Sequence, residues 1–171
     1  VRSVAGPLLG ADSLPIQQRA SASTTGLRLC DRPDGQGFVI AYFVAGRIDL
    51  HDDSGEFQRS FAVPFPSGPR FTANESGRLE LNPVRMWYVD CAATATRLYA
   101  LFSGRRSDAF ESGDASSGEF VHVFRWDGTL DQVLRLDHPA FSIAISADGR
   151  RLFTGSLVDA AIRVTNLETP R

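Results

Sequence analysis

Three histidines, two cysteines and a few grouped acids and arginines are the residues through which this 171-residue chain could do chemistry. His51, His122 and His138 have the right side chain for a general base or a metal ligand. Each would need a second ligand or an orienting acid at a regular spacing. The sequence supplies none, so all three read as exposed or edge polar residues. Asp52, Asp53, Ser54 and Glu56 bunch together like the start of a calcium loop. The alternating ligands and the closing glutamate at full loop length are missing, so the stretch reads as a hairpin turn. Asp34-Gly35 and Asp148-Gly149 read as turns too. No Gly-x-Ser-x-Gly elbow is present, and no Cys/His pairing is visible. The expectation is therefore no catalytic residue, no metal site and no cofactor.

Two places remain where binding could sit. The segment "SGRRSDAFESGDASSGEF" is polar, rich in Ser and Gly, and inserted between two strand-like runs. Long inserts on a rigid scaffold are common binding elements. Arg105 and Arg106 could clamp an anionic ligand there; the competing reading is a solvated loop. Asp90 is the acid to watch within the strands, as a residue of a channel or rim. Cys30 and Cys91 are too few for a disulfide framework, and no Cys-x-x-Cys pattern points to zinc. They read as buried small hydrophobes, with a single bridge between them as the alternative. Such a bridge would imply an oxidising compartment.

Bulk properties narrow the partners. With 18 basic and 20 acidic residues and a formal net charge of −2, nucleic acid and anionic membrane are not the expected main partners. All the basic residues are arginine, which codon usage explains without a phosphate site. No apolar run approaches the roughly 20 residues that span a bilayer. The chain starts at Val1 with no signal pattern and reads as a fragment or a processed chain. Its 43% hydrophobic content can build a core for one domain.

The elements that would position these residues are strands. Residues 1–25 read as a lead-in loop or partial strand. From Leu27 onward, short alternating segments are separated by turn signals, with no sustained helical stripe. They repeat: "IDLHDDSGEFQRSFAVPFP" from Ile48 and "VHVFRWDGTLDQVLRLDHP" from Val121 match at an offset of 73 residues. Ile48 pairs with Val121, Leu50 with Val123, Gly55 with Gly128, Phe61 with Leu134 and Val63 with Leu136. Each copy is a hairpin whose glycine supplies positive φ, with Asp53 or Asp127 bonding the turn. A two-strand element precedes each hairpin, in "GLRLCDRPDGQGFVIAYF", "MWYVDCAATATRLYALFSG" and "FSIAISADGRRLFTGS". The unit is four strands, which predicts an all-β fold. The expected architecture is a β-propeller fragment of about three four-stranded antiparallel blades, the last incomplete. The partial propeller covers 26–171, with blades at approximately 26–66, 84–139 and 140–168. Trp87, Tyr99, Phe102, Phe124 and Phe153 are expected to fill the gaps between blades. Three blades are too few for a ring. Either residues 1–25 patch the last blade or Arg171 is a cut end, and the cut end is expected.

The segments "WYVDCAATATRLYALFSGRR", "EFVHVFRWDGTLDQVLRLDHPAFSIAISADGRRLF" and "GFVIAYFVAGRIDLHDDSGEF" resemble, in order and spacing, the TolB-like six-bladed propellers of bacteria. The closing "ADGRRLF" and "IRVTNLE" resemble a WD-repeat more weakly. No Gly-His pair opens a blade, Thr165-Asn166 stands where Trp-Asp belongs, and Trp126-Asp127 falls at a turn. The TolB-like resemblance implies a non-catalytic binding or scaffold propeller acting on another protein or a small ligand. It also implies a periplasmic or cell-envelope location. The alternative is a propeller hydrolase or lactonase with an axial metal site, whose ligands lie far apart in sequence and leave no motif.

Overall fold

The computed structural model describes residues 26–64, 71–76, 79–81, 85–106, 108, 116–156 and 159–167. The lead-in expected over 1–25 lies outside them. The first sheet is a meander of β1 (Leu27–Asp31), β2 (Phe38–Tyr42), β3 (Ile48–His51) and β4 (Phe57–Ser60). A hairpin of β5 (Phe71–Ala73) and β6 (Leu79–Leu81) lies in the insert between sheets. The second meander contains β7 (Tyr88–Ala93), β8 (Arg97–Phe102), β9 (Gly118–Arg125) and β10 (Leu130–Ala140). The third contains β11 (Ser142–Ile145), β12 (Arg151–Ser156) and β13 (Ala161–Asn166). All neighbouring strands are antiparallel. The fold is therefore all-β, with four, four and three strands in what are here called blades 1, 2 and 3.

Period-two alternation gives each side of blade 2 a different neighbour. Leu98, Ala100, Phe124, Tyr88 and Cys91 pack toward blade 1, against Val39, Ala41, Ile48, Leu50 and Phe61. The residues between them, Tyr99, Leu101, Val121 and Val123, pack toward blade 3, against Ile143 and Leu152. The 73-residue repeat is thus a repeat in space. Ile48 and Leu50 of blade 1, and Val121 and Val123 of blade 2, all face the following blade. Of the expected gap fillers, Trp87, Tyr99, Phe102 and Phe124 pack between blades. Phe153 does not: it pairs with Ala144 and Val164 on the side of blade 3 turned away from blade 2.

The short connections, β1–β2, β3–β4, β7–β8, β9–β10 and β11–β12, emerge on one face, here the turn face. Glycines at positive φ sit in four of them: Gly35, Gly55, Gly128 and Gly149. In the β3–β4 turn the bonding aspartate is Asp52, not Asp53. Its Oδ1 accepts from the Ser54 and Glu56 N–H groups at 3.0 and 2.9 Å. Asp127 holds the β9–β10 turn as expected, accepting from Thr129 N–H at 2.8 Å. The β2–β3, β8–β9 and β12–β13 connections and the links between blades emerge on the opposite face, the loop face. There Gly46 lies so close to Trp87 that a Cβ would sit 2.7 Å from its ring. Only glycine lets the indole seal that end of the first interface.

Candidate functional site

The inner strands carry the first candidate region. β1 runs alongside β7, with Arg28 Nε donating to Val89 O at 2.6 Å and Cys30 disulfide-bonded to Cys91. The reading of both cysteines as free small hydrophobes is therefore corrected. Residues 61 positions apart are brought together by blade stacking, with 6.1 Å between their Cα atoms. Asp90, the channel candidate, lies next to this bridge. Its Oδ2 accepts the backbone N–H of Ile143 at 2.8 Å, so it caps the inner strand of blade 3. Among the described residues no group of three or more His, Cys, Asp or Glu gathers as a metal site.

The histidines are buried, and their reading as exposed or edge residues is corrected. His51 stacks on Phe38 and its Nδ1 lies 3.2 Å from Gly55 O. His122 stacks on Phe102 between blades 1 and 2, with Nδ1 3.1 Å from the Tyr88 hydroxyl. Burial pushes His122 down to about 4 and pushes the Tyr88 hydroxyl well above the usual phenol range. An uncharged imidazole therefore fills this aromatic slot at neutral pH. The alternating run "VHVF" placed it there: His122 falls on the same side of β9 as Phe124.

The third histidine lines a shallow pocket among the described residues. After a first shift between Leu130 and Gln132, β9 and β10 pair regularly from Gln132–Val123 to Arg135–Phe120, then resume only at Ala140–Gly118. Leu136 to Pro139 therefore cross opposite Glu119 as a bulge, and Pro139 has no N–H to give a ladder. The bulge opens a depression of about 400 Å³ lined by Glu119, Arg135, Leu136, Asp137, His138 and Pro139. His138 Nδ1 lies 2.5 Å from Asp137 Oδ1, and Nε2 lies 2.8 Å from Thr154 Oγ1 on β12. The hydrogen bond from His138 holds the Asp137 carboxyl below the usual carboxylate range, helped by the more distant Arg163.

An acid, an imidazole and a hydroxyl in line have the connectivity of a nucleophile relay. The burial is the reverse of what a relay needs. Thr154 is 1% exposed, while the Asp137 side chain is 88% exposed. A working nucleophile must reach substrate, and here the hydroxyl faces the packed interface. The row of bonds joins blade 2 to blade 3.

Arg105 and Arg106 lie at the same, loop-face end. Arg105 Nη2 bonds Glu119 Oε1 at 3.1 Å, placing this arginine at the pocket rim. Arg106 pairs with Arg85 through the backbone, and its guanidinium makes a bidentate contact with Asp108 at 2.9 to 3.3 Å. The hydrogen bond from Arg106 holds Asp108 low. The other residues of the β8–β9 insert, 107 and 109–115, lie outside those described. Sequence reasoning named Arg105 as a candidate and missed the pocket beside it. The available signal was "LDHPA", a charged pair and a proline interrupting an otherwise regular outer strand.

On the turn face, Arg32 lies over the Trp126 ring at 4.6 Å, and Trp126 Nε1 donates to Thr94 O at 3.2 Å. Turns of blades 1 and 2 are tied together there. The Trp126-Asp127 pair is a junction between turns.

No protein-family model matches this sequence, and no curated protein matches it. Solved structures do. The chain is similar to Kuenenia stuttgartiensis hydrazine synthase, with a TM-score of 0.52 and 16% identity over 83% of this chain. It is also similar to the β-propeller domain of Myceliophteria thermophila Cps50 (Swd1), with a TM-score of 0.51 and 9% identity over 84% of this chain. It spans about a third of those chains, 32% and 36% respectively. At these identities the likeness is one of fold, a β-propeller.

Proposed function

We propose that this chain is a binding or scaffold propeller of TolB-like type that performs no reaction of its own. Its ligand is a protein received on the loop face, around Arg105, Arg106 and the bulge pocket. The observation that carries this reading is where the chemistry-bearing side chains are engaged. Asp90 caps Ile143, His122 fills an aromatic slot, and His138 bridges Asp137 to Thr154. The meanders hold the loop face in place, and the longest connections of the chain join strands there. The Cys30–Cys91 bridge supports an oxidising compartment, and the reading therefore includes a bacterial periplasm or cell envelope; a six-bladed parent architecture rests on the TolB-like resemblance alone.

The test has two arms. Turnover of a panel of esters and lactones, with and without calcium, is expected to stay at the background rate. A turnover that Asp90→Asn abolishes would overturn the reading in favour of an axial-metal hydrolase. In the second arm, affinity capture from the envelope fraction is compared between the natural chain and the Arg105→Glu, Arg106→Glu double variant. A partner retained by the first and lost by the second is expected; identical capture by both removes the loop face from the proposal.

A further inference from the structure

Arg85 stands directly across from Arg106 on the loop face. The two form an antiparallel bridge, flanked by Met86 N–H donating to Arg105 O at 2.7 Å and Gly104 N–H donating to Met86 O at 3.0 Å. Residues opposed in this way project to the same side, and like charges so placed repel. Arg106 is neutralised by Asp108, which it grips through Nε and Nη2 at 2.9 to 3.3 Å. Arg85 is not neutralised. Its Nη1 donates to Gly104 O at 2.8 Å, a carbonyl that orients the guanidinium and cancels no charge. Both arginines are exposed. Arg135, also exposed, lines the bulge pocket, and like Arg85 it makes no ion pair within the described residues. Arg105 joins the two regions: its carbonyl belongs to the bridge and its guanidinium bonds Glu119 of the pocket. The one further acid of the pocket, Asp137, is engaged by His138.

Four arginines thus share one end of the molecule, and two of them lack a carboxylate there. Resting on the loop-face reading, we propose that the protein received there is acidic, and that a segment with successive Asp or Glu side chains lays its carboxylates on Arg85 and Arg106. A guanidinium keeps further N–H donors for a bidentate acid after giving one to a carbonyl. Asp108 is the chain's own stand-in for one of those carboxylates, and the partner displaces it from Arg106. The arriving charge also relieves the repulsion between the two opposed arginines. A peptide is favoured over nucleic acid because the whole chain carries a net charge of −2. A local arginine cluster on such a chain holds a few carboxylates, whereas a long polyanion also meets the repulsion of the rest.

Fluorescence anisotropy of labelled octaglutamate with the full chain tests this. The expected result is binding that weakens as salt rises. Arg85→Gln weakens it about fivefold, and Arg85→Lys regains part of the loss, because the charge returns without the fork. Asp108→Asn tightens it by removing the internal competitor. Two controls lie on the turn face and change nothing: Asp53→Asn, and Arg59→Gln, whose arginine reaches Asp127 O at 3.4 Å. Circular dichroism verifies that each variant folds. Octaglutamate that does not bind overturns the proposal, as does an equal loss in Arg59→Gln and Arg85→Gln. Octathymidylate bound more tightly than octaglutamate overturns it in favour of nucleic acid. The loop-face reading fails separately, when capture of an envelope partner survives Arg105→Glu with Arg106→Glu. A partner lost by that double variant, from a chain that ignores octaglutamate, keeps the loop face and overturns only its acidic occupant.

Discussion

Blade 2 meets its two neighbours through different materials. Toward blade 1 the interface is aromatic and cross-linked: Trp87, Tyr88, Phe124, Phe61 and Phe102 cluster around His122, and Cys30–Cys91 and Arg28 tie the inner strands. Toward blade 3 it is mainly aliphatic, with Tyr99 as the buried aromatic among the described residues of that cluster. Its side-chain ties there are single hydrogen bonds, one accepted by Asp90 from Ile143 N–H and one between His138 and Thr154. The same alternating strands produce both, so the difference lies in side-chain choice. One interface is held covalently in every conformation the chain visits, folded or unfolded. The other depends on packing and on polar bonds that exist only in the folded state. The blade 2–3 contact is therefore the one expected to open first.

Removing the covalent tie should have the largest effect. Closing a loop of 61 residues stabilises by about 4 kcal/mol in the chain-entropy treatment. Cys30→Ser with Cys91→Ser should lower the unfolding free energy by about that much in urea titrations. Hydrogen exchange should quicken in β1 to β4 while β11 to β13 change little; uniform quickening would mean that the blades unfold as one unit.

Acid tests the same interface through His122. In the folded state burial holds it at about 4, below the 6.5 of an ordinary histidine, so the unfolded chain binds the proton more readily. Stability is then complete above about pH 6.5 and falls as pH drops toward 4, by up to about 3 kcal/mol. Urea midpoints measured across that window should show the fall, and His122→Phe should flatten it.

The second interface should respond more weakly. Asp90→Leu leaves the Ile143 N–H without its charged acceptor and should cost about 2 kcal/mol. Exchange should quicken at Ile143 and along β11, with blade 1 unaffected. Thr154→Val keeps the volume and removes the hydroxyl that meets His138, and should cost about 1 kcal/mol by thermal denaturation. An Asp90→Leu loss exceeding that of the cysteine pair would reverse the ranking of the two interfaces.

Much of the fold was legible in the chain because strands and turns are local. Alternation in "RLYALF" and "VHVF", the Asp-Gly turns and the 73-residue repeat carry the blades and their order. The site was less legible. Arg105 was visible as a charge in a polar insert, but its partner Glu119 and the pocket beside it depend on a slip in register. Four residues of β10 pass one residue of β9 there, and no local propensity encodes that. His51, His122 and His138 were misread for a related reason. A histidine's burial depends on what covers its side of the strand, and that cover comes from other strands: Phe57 over His51, Tyr88 over His122, Thr154 over His138.

By itself, then, the sequence determined the all-β class, the four-strand unit and the turns, since period-two burial and positive-φ glycines act over a few residues. The tertiary structure decided which residues meet. Cys30 reaches Cys91, Asp90 reaches Ile143, and His138 reaches Thr154 only after the blades stack. The physical reason is that stacking is a long-range contact, with partners 16 to 61 residues apart in the chain. No window of the sequence contains both sides of such a contact.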